Sequence, residues 1–85
     1  MPYIRKEERK AFDNSLKTLS ALINTEGQMN YCFYKLCLNW VKLVGKNYNS
    51  LSTCISVLEN AKLEFYRRQV ASYEDKKIIE NGDIS

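Results

Sequence analysis

The chain has no histidine, a single proline and only three glycines in 85 residues. Without histidine there is no imidazole to ligate zinc or to act as a general base near neutral pH. No Gly-rich phosphate loop, Gly-x-Ser-x-Gly elbow or zinc-ligand spacing occurs either, which removes most hydrolase chemistry. Acid is missing locally: Gly27 to Leu58 contains no Asp or Glu, and its only formal charges are Lys35, Lys42 and Lys46. Long hydrophobic runs are lacking too. The nearly apolar stretch from Tyr31 to Val44 is interrupted by Lys35, Asn39 and Lys42, and it falls short of the roughly 20 residues that span a bilayer. Met1-Pro2-Tyr3-Ile4 leads straight into charged residues, without the apolar core or cleavage site of a signal peptide. These absences predict a cytoplasmic protein with no membrane partner. Cys32, Cys37 and Cys54 occupy apolar positions without a Cys-x-x-Cys pair, so they read as reduced, buried thiols, and no metal or cofactor is expected.

The hydrophobic content of 45% with 27% charge belongs to a folded chain, and the length allows one domain, residues 1–85. The net charge of +3 is uneven: residues 1–72 carry 11 basic and 6 acidic side chains, and residues 73–85 carry 2 and 4. A basic body of this size favours capture of phosphates but is weak beside that of proteins that coat nucleic acid.

Apolar spacings of three and four recur and strict alternation does not, which predicts an all-α protein: a small bundle of three main helices plus a short C-terminal helix. The first helix is expected from about Arg5 to Asn24, with Phe12, Leu16, Leu19 and Ile23 on one face. Asp13-Asn14-Ser15 marks a potential kink, since such residues favour caps over helix interiors. Thr25 and Gln28 have the spacing of a capping box, which starts the second helix at about Glu26. That helix carries apolar or aromatic side chains at 12 of the 20 positions from Gly27 to Lys46, around almost its whole circumference. A helix of this kind needs cover on more than one side, and a chain this short buries only about 60 to 65% of its unfolded surface. A second copy of the chain is the expected cover, giving a homo-oligomer. Trp40 lies in register with Met29, Phe33 and Leu36 and reads as core or subunit interface.

Gly45 and the turn Asn47-Tyr48-Asn49 end the second helix. The third starts near Ser50 and runs to about Ala71, with Leu51, Ile55, Leu58, Ala61 and Phe65 in one stripe. Ser72 and Asp75 have N-cap spacing and open a last short helix that stops at Asn81-Gly82, leaving a loose tail.

The adjacent acids Glu7-Glu8 and Glu74-Asp75 point about 100° apart on a helix, so neither pair is a ready acid and base, and the chain is not read as an enzyme. The cluster Lys62-Leu63-Glu64-Phe65-Tyr66-Arg67-Arg68, followed by Tyr73, is more suggestive. Lys62 and Tyr66 share a face and Glu64 can pair with Arg68 at i,i+4, whereas Arg67 has no acid at that spacing on either side. Two readings stand: a solvated face with one intrahelical ion pair, or a nucleotide pocket in which arginine forks hold phosphate and tyrosine stacks on a base. Asn30 and Tyr31, beside Tyr34 and Lys35, form a second candidate set. An asparagine inside a helix either holds a neighbouring helix or reads a ligand edge.

Met1-Pro2-Tyr3-Ile4, Phe12-Asp13, Met29-Asn30-Tyr31, Val57-Leu58-Glu59, Ala61 to Arg68, Tyr73-Glu74-Asp75-Lys76-Lys77 and Glu80-Asn81-Gly82-Asp83 resemble a family of short, largely uncharacterised tailed-phage proteins. The resemblance spans almost the whole chain and departs at Ser72, where the family has proline. It implies a phage accessory protein acting in the cytoplasm of the infected host. The function expected is non-enzymatic sequestration of a small anionic nucleotide immune signal, of cyclic nucleotide or ADP-ribose type, in pockets between subunits. Arg67 and Arg68 would bind phosphate, Tyr66 or Tyr73 would stack, and Asn30 would read an edge. The alternatives are a protein-binding inhibitor of a host enzyme and a nucleic-acid-binding accessory protein, the latter disfavoured by the modest charge.

Overall fold

The computed structural model describes residues 3–84, and every regular element in them is helical. Met1, Pro2 and Ser85, which carry part of the family resemblance and of the expected tail, lie outside the described residues. The chain divides into two compact units, one up to Gly45 and one from Lys46 onward.

The first unit begins with a short 3₁₀ turn, Lys6–Glu8, braced by an Arg5 Nε to Glu8 Oε1 contact of 3.0 Å. Helix α1 follows as Lys10–Leu22 and runs unbroken through Asp13-Asn14-Ser15. The helix expected from Arg5 therefore starts later, because no side chain caps it at Arg9 and the preceding residues close the tighter turn instead. It ends when Ile23 turns extended at φ −86° and ψ 115°. Helix α2, Glu26–Val44, starts where the capping box predicts. The Gln28 N–H donates to Thr25 Oγ1 at 3.1 Å, and the Thr25 N–H donates to Gln28 Oε1 at 3.1 Å. The same Gln28 oxygen also accepts from the Asn24 N–H at 2.6 Å. Gly45 closes α2 at φ 105°, a value few side chains tolerate, and its N–H donates to the Val41 carbonyl at 2.9 Å.

Within this unit α1 and α2 share two grooves: Leu19, Leu22 and Ile23 line one with Tyr31 and Cys32, and Phe12, Leu16 and Leu19 line another with Leu36. Leu19 and Ile23 of the predicted α1 stripe are half-buried, whereas Phe12 and Leu16 remain more than half exposed. The Met29, Phe33, Leu36 and Trp40 stripe of α2 is exposed, with Trp40 at 41%, so it is not core of the chain.

The second unit is one long helical rod. Helix α3, Tyr48–Phe65, passes into a π-helical turn, Tyr66–Val70, and then into α4, Ala71–Asn81. Its start lies two residues before the expected one. Asn47 caps it in a second capping box, with Ser50 N–H to Asn47 Oδ1 at 2.9 Å and Asn47 N–H to Ser50 Oγ at 3.1 Å. The break expected at Ser72 is absent. Phe65, Tyr66, Val70 and Ala71 all keep right-handed helical dihedrals, and the Ala71 N–H donates to the Tyr66 carbonyl five residues back. Ser72 is thus a helix-interior residue rather than a cap. The rod ends where predicted, at Gly82 with φ 83°.

Among the described residues only Val41, Ser50 and Cys54 are buried. Cys32 and Cys37 are half-buried, so the expectation of three buried thiols holds for Cys54 alone. No described helix is long and apolar enough to cross a membrane.

Candidate functional site

The Lys62-to-Tyr73 cluster falls on and around the π turn. An α-helix rotates 100° per residue, while a turn closed by i to i−5 bonds holds an extra residue and rotates less per residue. The consequence is visible at Tyr66 and Glu74. Eight residues apart, they would sit about 80° off register on a regular α-helix, yet the Tyr66 hydroxyl donates to Glu74 Oε2 at 3.2 Å. The inserted residue takes up the difference and stacks the two side chains on one side of the rod. That bond to a carboxylate favours the neutral phenol and raises the Tyr66 pKa above its ordinary 10, with the negative charge of Glu74 and then Asp75 adding to it.

On another side of the same turn, a single oxygen of Glu64 gathers both arginines. Arg67 Nη2 donates to Glu64 Oε1 at 2.8 Å, and Arg68 Nε donates to the same atom. The expected Glu64–Arg68 pair is therefore present, but Arg67 is not the unpaired residue predicted: Glu64 reaches it at i,i+3. The Arg68 hydrogen bond is the largest of several causes that hold the Glu64 carboxyl at about 2, below its ordinary 4.5, and Arg67 is a smaller one. Glu64 is 23% exposed, while Arg67 and Arg68 are 63% and 57% exposed. The carboxylate sits under the cluster and the guanidinium faces lie in solvent.

Lys62 is exposed and pairs with Glu59 at 3.4 Å. Tyr73 is 61% exposed. It presents its ring to Lys77, whose Nζ lies 5.5 Å from the ring centroid, a cation–π distance. Lys77 also reaches Glu80 at 3.1 Å. Asn30 and Tyr31 belong to the first unit; both are exposed, and Tyr31 lines the groove of about 540 Å³ with Leu19, Leu22 and Cys32. The structure thus brings Arg67 and Arg68 together through Glu64 and sets Tyr66 apart from them on Glu74. Sequence spacing signals Glu64 as an anchor at i−3 and i−4. Glu74 carries no such signal, because its contact with Tyr66 depends on the π turn.

Among the described residues no group of three or more His, Cys, Asp or Glu side chains is placed to hold a metal ion. What the cluster can do chemically is present two planar donor forks to an anion. No curated protein and no solved structure matches the chain. A family profile does match residues 1–84, and the chain belongs to that family, described as a domain of unknown function (DUF6899).

Proposed function

We propose that this family member is a phage accessory protein that binds and sequesters a small anionic nucleotide immune signal, of cyclic nucleotide or ADP-ribose type, without transforming it. The observation that carries the reading is the solvent-facing Arg67–Arg68 pair on the π turn, held from beneath by Glu64. π turns of this kind recur at functional sites. Arg67 and Arg68 take the phosphate. Tyr73, whose ring is exposed, or Tyr66 stacks on a base, and Lys62 adds positive charge; Asn30 and Tyr31 form a separate candidate set on the first unit.

The exposed apolar side chains support a homo-oligomer with its pockets between subunits. Met29, Phe33, Leu36 and Trp40 on α2, and Leu51, Ile55 and Phe65 on the rod, are all at least 41% exposed, and burying such stripes against another copy is favourable by about 25 cal/mol per Å². The same surface favours a second reading, docking onto a host enzyme as its inhibitor. Equilibrium dialysis against cyclic dinucleotides and ADP-ribose compounds separates the two. Retention of one of them by the wild type, lost in Arg67→Ala with the helical circular dichroism unchanged, supports sequestration. Retention at full affinity by Arg67→Ala removes that residue from the site, and indifference to every compound moves the reading to host-protein binding.

A further inference from the structure

We infer that Glu64 is a positioning residue that gathers the Arg67 and Arg68 guanidiniums into one anion-receiving fork. The inference rests on the binding reading above and adds to it a residue that never touches the ligand. Both arginines donate to one atom, Glu64 Oε1. Residues three and four positions on from a given residue are both its neighbours on a helix surface, so Arg67 and Arg68 both reach back to Glu64 in the preceding turn.

Each guanidinium offers five N–H donors, and the contact with Glu64 engages Nη2 of Arg67 and Nε of Arg68. The other donors project from side chains that are 63% and 57% exposed, above a carboxylate that is 23% exposed. Glu64 therefore occupies the inner side of the pair and leaves its outer side to a ligand. Its charge also offsets the mutual repulsion of two neighbouring cations, so the pair stays converged before an anion arrives. Preorganisation of this kind removes ordering cost from binding. The opposite role, in which Glu64 is an occupant that an incoming anion must displace, makes the opposite prediction for its removal.

The test is titration of wild type, Glu64→Ala and Glu64→Gln with inorganic pyrophosphate, followed through the arginine Nε–H signals by NMR. Pyrophosphate shifts the Arg67 and Arg68 signals in the wild type. Glu64→Ala weakens binding by about tenfold as the converged forks separate. Glu64→Gln recovers to within about threefold, because its carbonyl oxygen accepts the same two bonds. A residue that merely supported the helix would not give this graded recovery at constant helical circular dichroism. Equal or tighter binding by Glu64→Ala overturns the inference, as does a wild type whose arginine signals ignore pyrophosphate. If pyrophosphate behaves as described while no nucleotide binds, the positioning role stands and the nucleotide reading falls. If nucleotides bind and Glu64→Ala binds them unchanged, the reverse holds.

Discussion

At the scale of single residues, Glu64 governs the chemistry of the π turn. Its carboxyl titrates at about 2 in the folded chain and at 4.5 without its partners. Between those values the unfolded chain takes up a proton that the folded chain does not, so the Glu64 contribution is complete above about pH 4.5 and disappears as pH falls toward 2. The group lies near the surface, where solvent screening keeps the effect small. Glu64→Gln should flatten that acid limb, measured as urea midpoints at about pH 6 and pH 3. Tyr66 acts in the opposite direction. With its pKa raised by Glu74, its contribution is complete below about pH 10 and fades as pH rises through the folded value. Tyr66→Phe should remove the tyrosine that ionises late in an ultraviolet titration. The residue types at the candidate site were legible in the sequence, but their pairing was only half so. The i,i+4 rule finds Arg68 for Glu64 and passes over Arg67, which bonds to the same oxygen from i+3. The Glu74 partner of Tyr66 stands at a spacing that no regular helix brings together.

At the scale of elements, caps and punctuation carried most of the legible information. Thr25 with Gln28 starts α2, Gly45 ends it, and Gly82 ends α4, each satisfying backbone groups that a helix terminus leaves orphaned. Asn47 with Ser50 does the same for α3, although Asn-Tyr-Asn between two helices has the look of a plain turn. Asn47→Ala should cost about 1 kcal/mol, a loss of roughly 4 to 8 °C in Tm for a chain of this size. The π turn was not legible, because nothing in the residue types from Tyr66 to Val70 sets a bond to the fifth residue back apart from one to the fourth. Ser72 illustrates the cost of that ambiguity: its spacing to Asp75 suits an N-cap, yet the continuous helical backbone from Tyr66 to Ala71 satisfies the amides a cap would serve. Deleting Gln69 should return the segment to α-helical register, rotate α4 by about 100° relative to α3 and part Tyr66 from Glu74. Loss of the elevated tyrosine titration in the deletion variant, with helix content retained, is the expected outcome. An unchanged titration would mean that the π turn does not hold that contact.

At the scale of the whole molecule, the dominant fact is how little of the apolar side-chain surface is covered. Only three described residues are buried, whereas α2 carries Met29, Phe33, Leu36 and Trp40 in the open and the rod carries Leu51, Ile55, Leu58 and Phe65. The all-round apolar character of α2 announced this in the sequence, as a helix with more apolar faces than an 85-residue chain can cover. What the sequence could not tell is which residues of α2 meet α1, and the grooves the two helices share are lined on α2 by Tyr31, Cys32 and Leu36. The central claim, sequestration of an anionic nucleotide by a homo-oligomer, meets its most direct test in native mass spectrometry of the purified protein with cyclic dinucleotides and ADP-ribose compounds. The account predicts a closed oligomer that gains a whole number of ligand masses and releases the ligand chemically unchanged on denaturation. A monomer, or an oligomer whose mass no compound in the panel alters, would contradict it.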